Sequence, residues 1–218
     1  MKGLLRNNFY ASRSNTKCFL GIMLCFGVFA IIVDNVIPSL MIGYTYISIV
    51  GFPVLTVSAL RKDNACKWAK YKLTAPVKRA DIIKSYYITH LAALFVGMFL
   101  SVVVVSMSVS LHGFPFDRNI DVLLLFMSGI SVSLFMGAFF YPLFYLNGEE
   151  RGEVTLLISL GCAIVIFMVL ISLVNRLLPS PATTTQLIFS AAGLTILAAC
   201  CFISSFPFAC GIFRKKQY

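Results

Sequence analysis

An all-α membrane protein with six transmembrane helices is the fold class this sequence predicts. Three observations predict it. Charge is sparse: 12% of the 218 residues are charged and 59% are hydrophobic, with a mean hydropathy of +0.91, whereas a soluble domain is about a quarter charged. The apolar residues come in runs long enough to cross a bilayer, which takes about 20 residues each. The positive residues gather between alternate runs, as membrane topology requires.

The elements follow in order. Residues 1–17 make a basic amphipathic start, with Leu4, Leu5 and Phe9 among Lys2, Arg6 and Arg13. Such a pattern suits a short helix lying in the membrane interface; a disordered tail is the competing reading. The first span covers 18–37, with Asp34 near its far end, and Pro38-Ser39 turns the chain. The second span, 40–60, contains Gly51-Phe52-Pro53. Pro53 removes a backbone donor, so a kink is expected there. Kinked helices line cavities, but ordinary bundles contain them too.

Residues 61–84 form the one long polar run, an elbow with eight basic residues against Asp63 and Asp81. The third span is 86–112, where Ser101, Ser106, Ser108 and Ser110 offer small positions for close helix packing. After the loop at 113–119, the fourth span runs 121–146. A polar turn, 147–153, leads to the fifth span, 154–178. Pro179-Ser180-Pro181 cannot continue a helix, and the sixth span, 186–213, ends in Arg214-Lys215-Lys216. The whole chain thus reads as one transmembrane domain.

The start, the elbow, the 147–153 turn and the C-terminus hold every Lys and Arg except Arg118 and Arg176. That side is expected to be cytoplasmic, with both termini inside. Topology also accounts for the net charge of +10, so no nucleic-acid partner is expected. The seven cysteines include no C-x-x-C pair and read as small buried apolar residues, neither a disulfide framework nor a metal site.

Catalytic patterns are missing. His90 and His112 stand about six turns apart on one helix, and both are expected at headgroup depth. The sequence has no H-E-x-x-H, no G-x-S-x-G and no G-x-x-x-x-G-K-[ST]. No ionisable group is expected deep in a span, which disfavours ion coupling. The chain reads as a path without an engine, and the elbow is where an engine would attach.

Within the elbow, Ala65, Trp68, Ala69 and Leu73 fall on one helical face. Thr74 suits a helix cap and Pro76 a helix's first turn. Trp68 is then either an anchor for a partner protein or a membrane-interface aromatic.

The stretch from Trp68 to Asp81, W-A-K-Y-K-L-T-A-P-V-K-R-A-D, resembles the cytoplasmic segment of small ABC-2-type transporter permeases. There an aromatic-containing helix precedes a P-[VI]-x-R turn between spans two and three. Leu4 to Tyr10 resembles their N-terminal interfacial helix, with Asn8 where an acid often stands. Tyr141 to Glu149 resembles the end of their fourth span. Among these permeases the likeness is to the phenol-soluble modulin exporter group.

The resemblance implies a multi-pass subunit in a bacterial plasma membrane, paired with a second permease copy or homologue. It implies two separate ATPase subunits that carry ATP and Mg, with no cofactor on this chain. Ala65, Trp68, Ala69 and Leu73 would enter a groove on the ATPase as a coupling helix. The turn at Glu149, Glu150 and Arg151 would add a smaller contact, with Glu153 beside it. The implied cargo is an amphipathic or hydrophobic peptide, while a lipid or lipophilic antibiotic suits the same lining. A non-transporting assembly or immunity protein is the alternative of another class.

Overall fold

The structure, a computed structural model, describes residues 2–33, 39–65, 79–113, 119–147, 151–177 and 183–215. Six α-helices account for almost all of them: α1 Lys2–Val33, α2 Ser39–Ala65, α3 Arg79–His112, α4 Asn119–Asn147, α5 Gly152–Leu177 and α6 Thr184–Lys215. Each is long and apolar enough to cross a membrane, and no strand occurs among the described residues.

The helices run alternately up and down. Asn8 near the start of α1 donates from Nδ2 to Ser85 Oγ near the start of α3, at 3.0 Å. Tyr87 on α3 pairs with Ser205 towards the end of α6, and Tyr145 at the end of α4 packs on Phe213 of α6. These contacts define one end of the bundle, the terminal end. The starts of α2, α4 and α6 lie at the other, the far end.

Helices α2 and α4 occupy the centre. Half of the apolar stretch of each is buried, against 11% for α6 and 17% for α1. Helix α4 packs against α6, α5 and α2, and α2 packs against α3, α1 and α4. One core cluster joins α1, α2 and α3 around Met23, Tyr44, Phe52 and Val104. A larger one joins the end of α2 and the start of α3 to α4, α5 and α6.

Helices α2 and α3 approach closely at Gly97. A Cβ on Gly97 would sit 2.4 Å from the Ser48 carbonyl oxygen. Ser48 and Ser101 both donate to the Gly97 carbonyl, at 2.9 and 3.0 Å. Without a hydrophobic drive between helices in lipid, such small-residue approach is what holds them together. Of the four α3 serines expected to serve packing, Ser101 and Ser108 are buried. Ser106 and Ser110 are exposed and donate to their own helix at Val103 and Met107.

The basic start is helical but continuous with the first span, not set off from it. Its polar residues stay in the helix because their hydroxyls return to carbonyls a turn back: Ser12 to Asn8 at 3.1 Å and Thr16 to Ser12 at 2.9 Å. Helix α2 likewise runs unbroken through Pro53.

Helix ends carry their own signals. Gly113, at φ +85°, closes α3 by returning its N–H to Val109 at 3.0 Å, a left-handed cap that glycine adopts without steric cost. Gln186 Oε1 accepts from the Thr183 N–H at 3.0 Å, half of a capping box at the start of α6.

Candidate functional site

At the terminal end, α3, α4 and α6 meet in an aromatic junction. Tyr87 of α3 stacks on Tyr141 of α4, with centroids 4.4 Å apart, and meets Phe202 and Phe206 of α6 at 4.9 and 5.5 Å. The Tyr141 hydroxyl donates to the Tyr86 carbonyl at 3.1 Å. Ser205 spends its one proton on the Phe202 carbonyl at 2.7 Å, so the Tyr87 hydroxyl donates to Ser205 at 2.8 Å.

His90 lies at the inner edge of this junction and is fully buried. Helix α3 begins at Arg79, well before the expected span, so His90 lies about three turns inside it. Its Nε2 stands 3.3 Å from the Ser133 carbonyl. A carbonyl only accepts, so Nε2 carries the proton. Nδ1 and the nearby Ser133 Oγ have no partner.

Gly137 makes room for the ring. A Cβ there would come within 2.6 Å of Phe202 and 3.0 Å of two His90 ring atoms. The arrangement locks three helices with rings and hydroxyls. It assembles no catalytic constellation, and no group of three His, Cys, Asp or Glu able to hold a metal occurs among the described residues.

The same core cluster reaches the roots of the elbow. Leu60 near the end of α2 and Ile82, Ile83 and Tyr86 at the start of α3 belong to it. Of the residues expected at an ATPase contact, Ala65 is the last residue of α2, and Trp68, Ala69, Leu73, Glu149 and Glu150 lie outside the described residues. Arg151 is exposed at the entry to α5. Its carbonyl accepts from Thr155 at 2.9 Å, and Asn147 Nδ2 donates to the Thr155 hydroxyl at 3.3 Å. The two ends of the 147–153 turn are therefore tied together.

The far end is open by contrast. A cavity of about 440 Å³ lies among α2, α4, α5 and α6, with Asp121, Asn175 and Leu187 at its mouth and Ser131, Phe167 and Leu194 further along. A second, almost wholly apolar groove of about 600 Å³ runs between α3 and α4, past Val102, Val109 and Phe126.

A family model described as "ABC-2 family transporter protein" matches residues 3–214. The chain belongs to the ABC-2 transporter family. No curated protein and no solved structure matches it.

In this ABC-2 family protein the junction is what sequence reasoning missed. A signal was there: Tyr86 and Tyr87 precede His90 by one helical turn, and Gly137 precedes Tyr141 by one turn. The cysteines need a correction. Cys18, Cys25, Cys162 and Cys200 are exposed on the bundle's outer surface, and Cys201 and Cys210 are half-buried. In a membrane the outer surface is itself apolar, so a small thiol is accommodated there as readily as in the core.

Proposed function

We propose that this chain is the permease subunit of an ATP-driven exporter that moves amphipathic or hydrophobic peptides across the plasma membrane. The observation that carries the reading is the family match over 212 positions, 3–214, on a chain whose sequence contains no P-loop. ATP and Mg then belong to a separate ABC ATPase, two copies of which serve two permease copies.

The elbow, 61–84, is the element that receives the ATPase stroke, through Ala65, Trp68, Ala69 and Leu73, with the turn at Glu149, Glu150 and Arg151 beside it. Support comes from its roots. The end of α2 and the start of α3 share a core with α4 and α6, so a push on the elbow acts on a packed junction. The excess of basic residues at the terminal end supports a cytoplasmic position for it, on the side where ATP is.

The test is co-purification. The tagged chain, extracted in mild detergent from its native cells, is expected to bring down an ATPase that carries a P-loop. Inverted vesicles holding both are expected to take up an amphipathic peptide only with ATP. A chain that purifies alone, with uptake indifferent to ATP, sinks the reading.

A further inference from the structure

The far-end cavity among α2, α4, α5 and α6 has a chemistry that its apolar lining conceals. Each serine hydroxyl has one proton and two lone pairs. Ser128, Ser131 and Ser190 spend their protons on the carbonyls of Leu125, Met127 and Leu187, each at 2.8 Å. Tyr46 lies 2.6 Å from Ser128. Because the Ser128 proton is already used, Tyr46 donates to it.

Every hydroxyl lining the cavity has thus been emptied of its donor. What faces the space is lone pairs, and Asp121 adds a carboxylate at the mouth. Among the described lining residues, Asn175 is the one side chain that still has donors to offer. The mouth gathers the C-terminal end of α5 with the N-terminal ends of α2, α4 and α6, and Asp121 stands in the first turn of α4, so the negative charge there is the carboxylate's own and not the helix ends'. The donors that the start of α6 would bring are drawn off in part by its own cap, Thr183 to Gln186. Arg176, beside Asn175, is exposed and does not line the cavity.

We infer that this cavity is a binding site for a lipophilic cation, an ammonium or guanidinium on a single apolar body. The cationic head sits at Asp121, where the carboxylate and the lone pairs of the cavity hydroxyls can accept from it. The body runs inward towards Ser131 and Phe167. Asp121 and Ser131 are ten residues apart on α4, which sets a depth of about 15 Å.

Size selects one chain or ring system. The 440 Å³ available falls in the range of small-ligand pockets, roughly 300–1,000 Å³. The site is proposed independently of the export function.

The experiment uses a photoreactive long-chain alkylammonium and the alcohol of the same chain length. Each is cross-linked to the full chain in nanodiscs of zwitterionic lipid, without ATP, and the labelled residues are mapped by mass spectrometry. The ammonium probe is expected to label the cavity lining and the alcohol to label it far less. Asp121→Asn, which keeps the shape of the side chain, is expected to weaken the ammonium probe about tenfold and leave the alcohol unchanged. Leu194→Trp, which fills the space, is expected to abolish labelling by both. Equal labelling by the two probes, or an Asp121→Asn protein that labels like the native one, overturns the site and leaves an ordinary lipid tail as its occupant. Labelling that survives Leu194→Trp overturns it as well.

Discussion

At the terminal end of the bundle, α3, α4 and α6 are locked by Tyr87, His90, Tyr141 and Phe202, with ring centroids as close as 4.4 Å. At the far end α4 and α6 reappear around a cavity of about 440 Å³, and α3 and α4 flank a groove of about 600 Å³. Helix α4 alone is common to the junction, the cavity and the groove. Its terminal-end half presents Gly137, Phe140, Tyr141 and Phe144, all turned inward, while its far-end half presents leucines and serines that leave space. A filled end passes a displacement from helix to helix, because a close-packed interior has few voids to absorb it. An unfilled end accommodates a guest. The two ends of α4 are suited to different tasks.

Two glycines on α4 put that difference to a direct test. The largest effect is expected from Gly137→Ala, whose new Cβ meets the Phe202 ring at 2.6 Å and His90 at 3.0 Å. Neither ring can yield without unstacking its neighbours. A loss of about 2–3 kcal/mol is expected, read as a lowered unfolding temperature in detergent. A native-like temperature would mean the junction is looser than its geometry.

Tyr141→Phe keeps the stack and removes the hydroxyl that donates to the Tyr86 carbonyl. That carbonyl sits within α3, and losing this additional donor is expected to cost about 1 kcal/mol. Thermal unfolding of the two variants side by side separates ring packing from hydrogen bonding.

The smallest effect is expected from Gly129→Ala, eight residues towards the far end. The atoms nearest its Cβ would all belong to the Ile49 side chain, at 3.2 Å and beyond, and the helix gains from the better helix former. Stability within about 0.5 kcal/mol of the native protein is expected. A loss equal to that of Gly137→Ala would erase the contrast between the two ends.

The six-helix architecture was legible because each run of apolar residues exceeds what a soluble helix needs and is bounded by Pro, Gly or charge, as at Pro38, Gly113 and Pro179. What each helix faces was not. The spans are apolar around most of their circumference, so periodicity carries little sign of which face meets protein and which meets lipid. Cys18, Cys25, Cys162 and Cys200 were misplaced for that reason. The burial of His90 went unread because its neighbours Ser133 and Phe202 lie on other helices. The cavity at Asp121 was illegible in a different sense. It is volume left between four helices, and no local pattern in any one of them encodes it. Trp68, Ala69 and Leu73 were picked out by spacing alone and lie outside the described residues.

The central claim is that force enters this permease through the elbow. It is tested by Trp68→Ala, with the partner ATPase and the mutant chain co-expressed and the recovered complex quantified against membrane-inserted permease. Association weakened about tenfold or more, as for removal of an interface anchor, with insertion unchanged, is the result expected. A Trp68→Ala chain that inserts normally and recovers as much ATPase as the native one would contradict it.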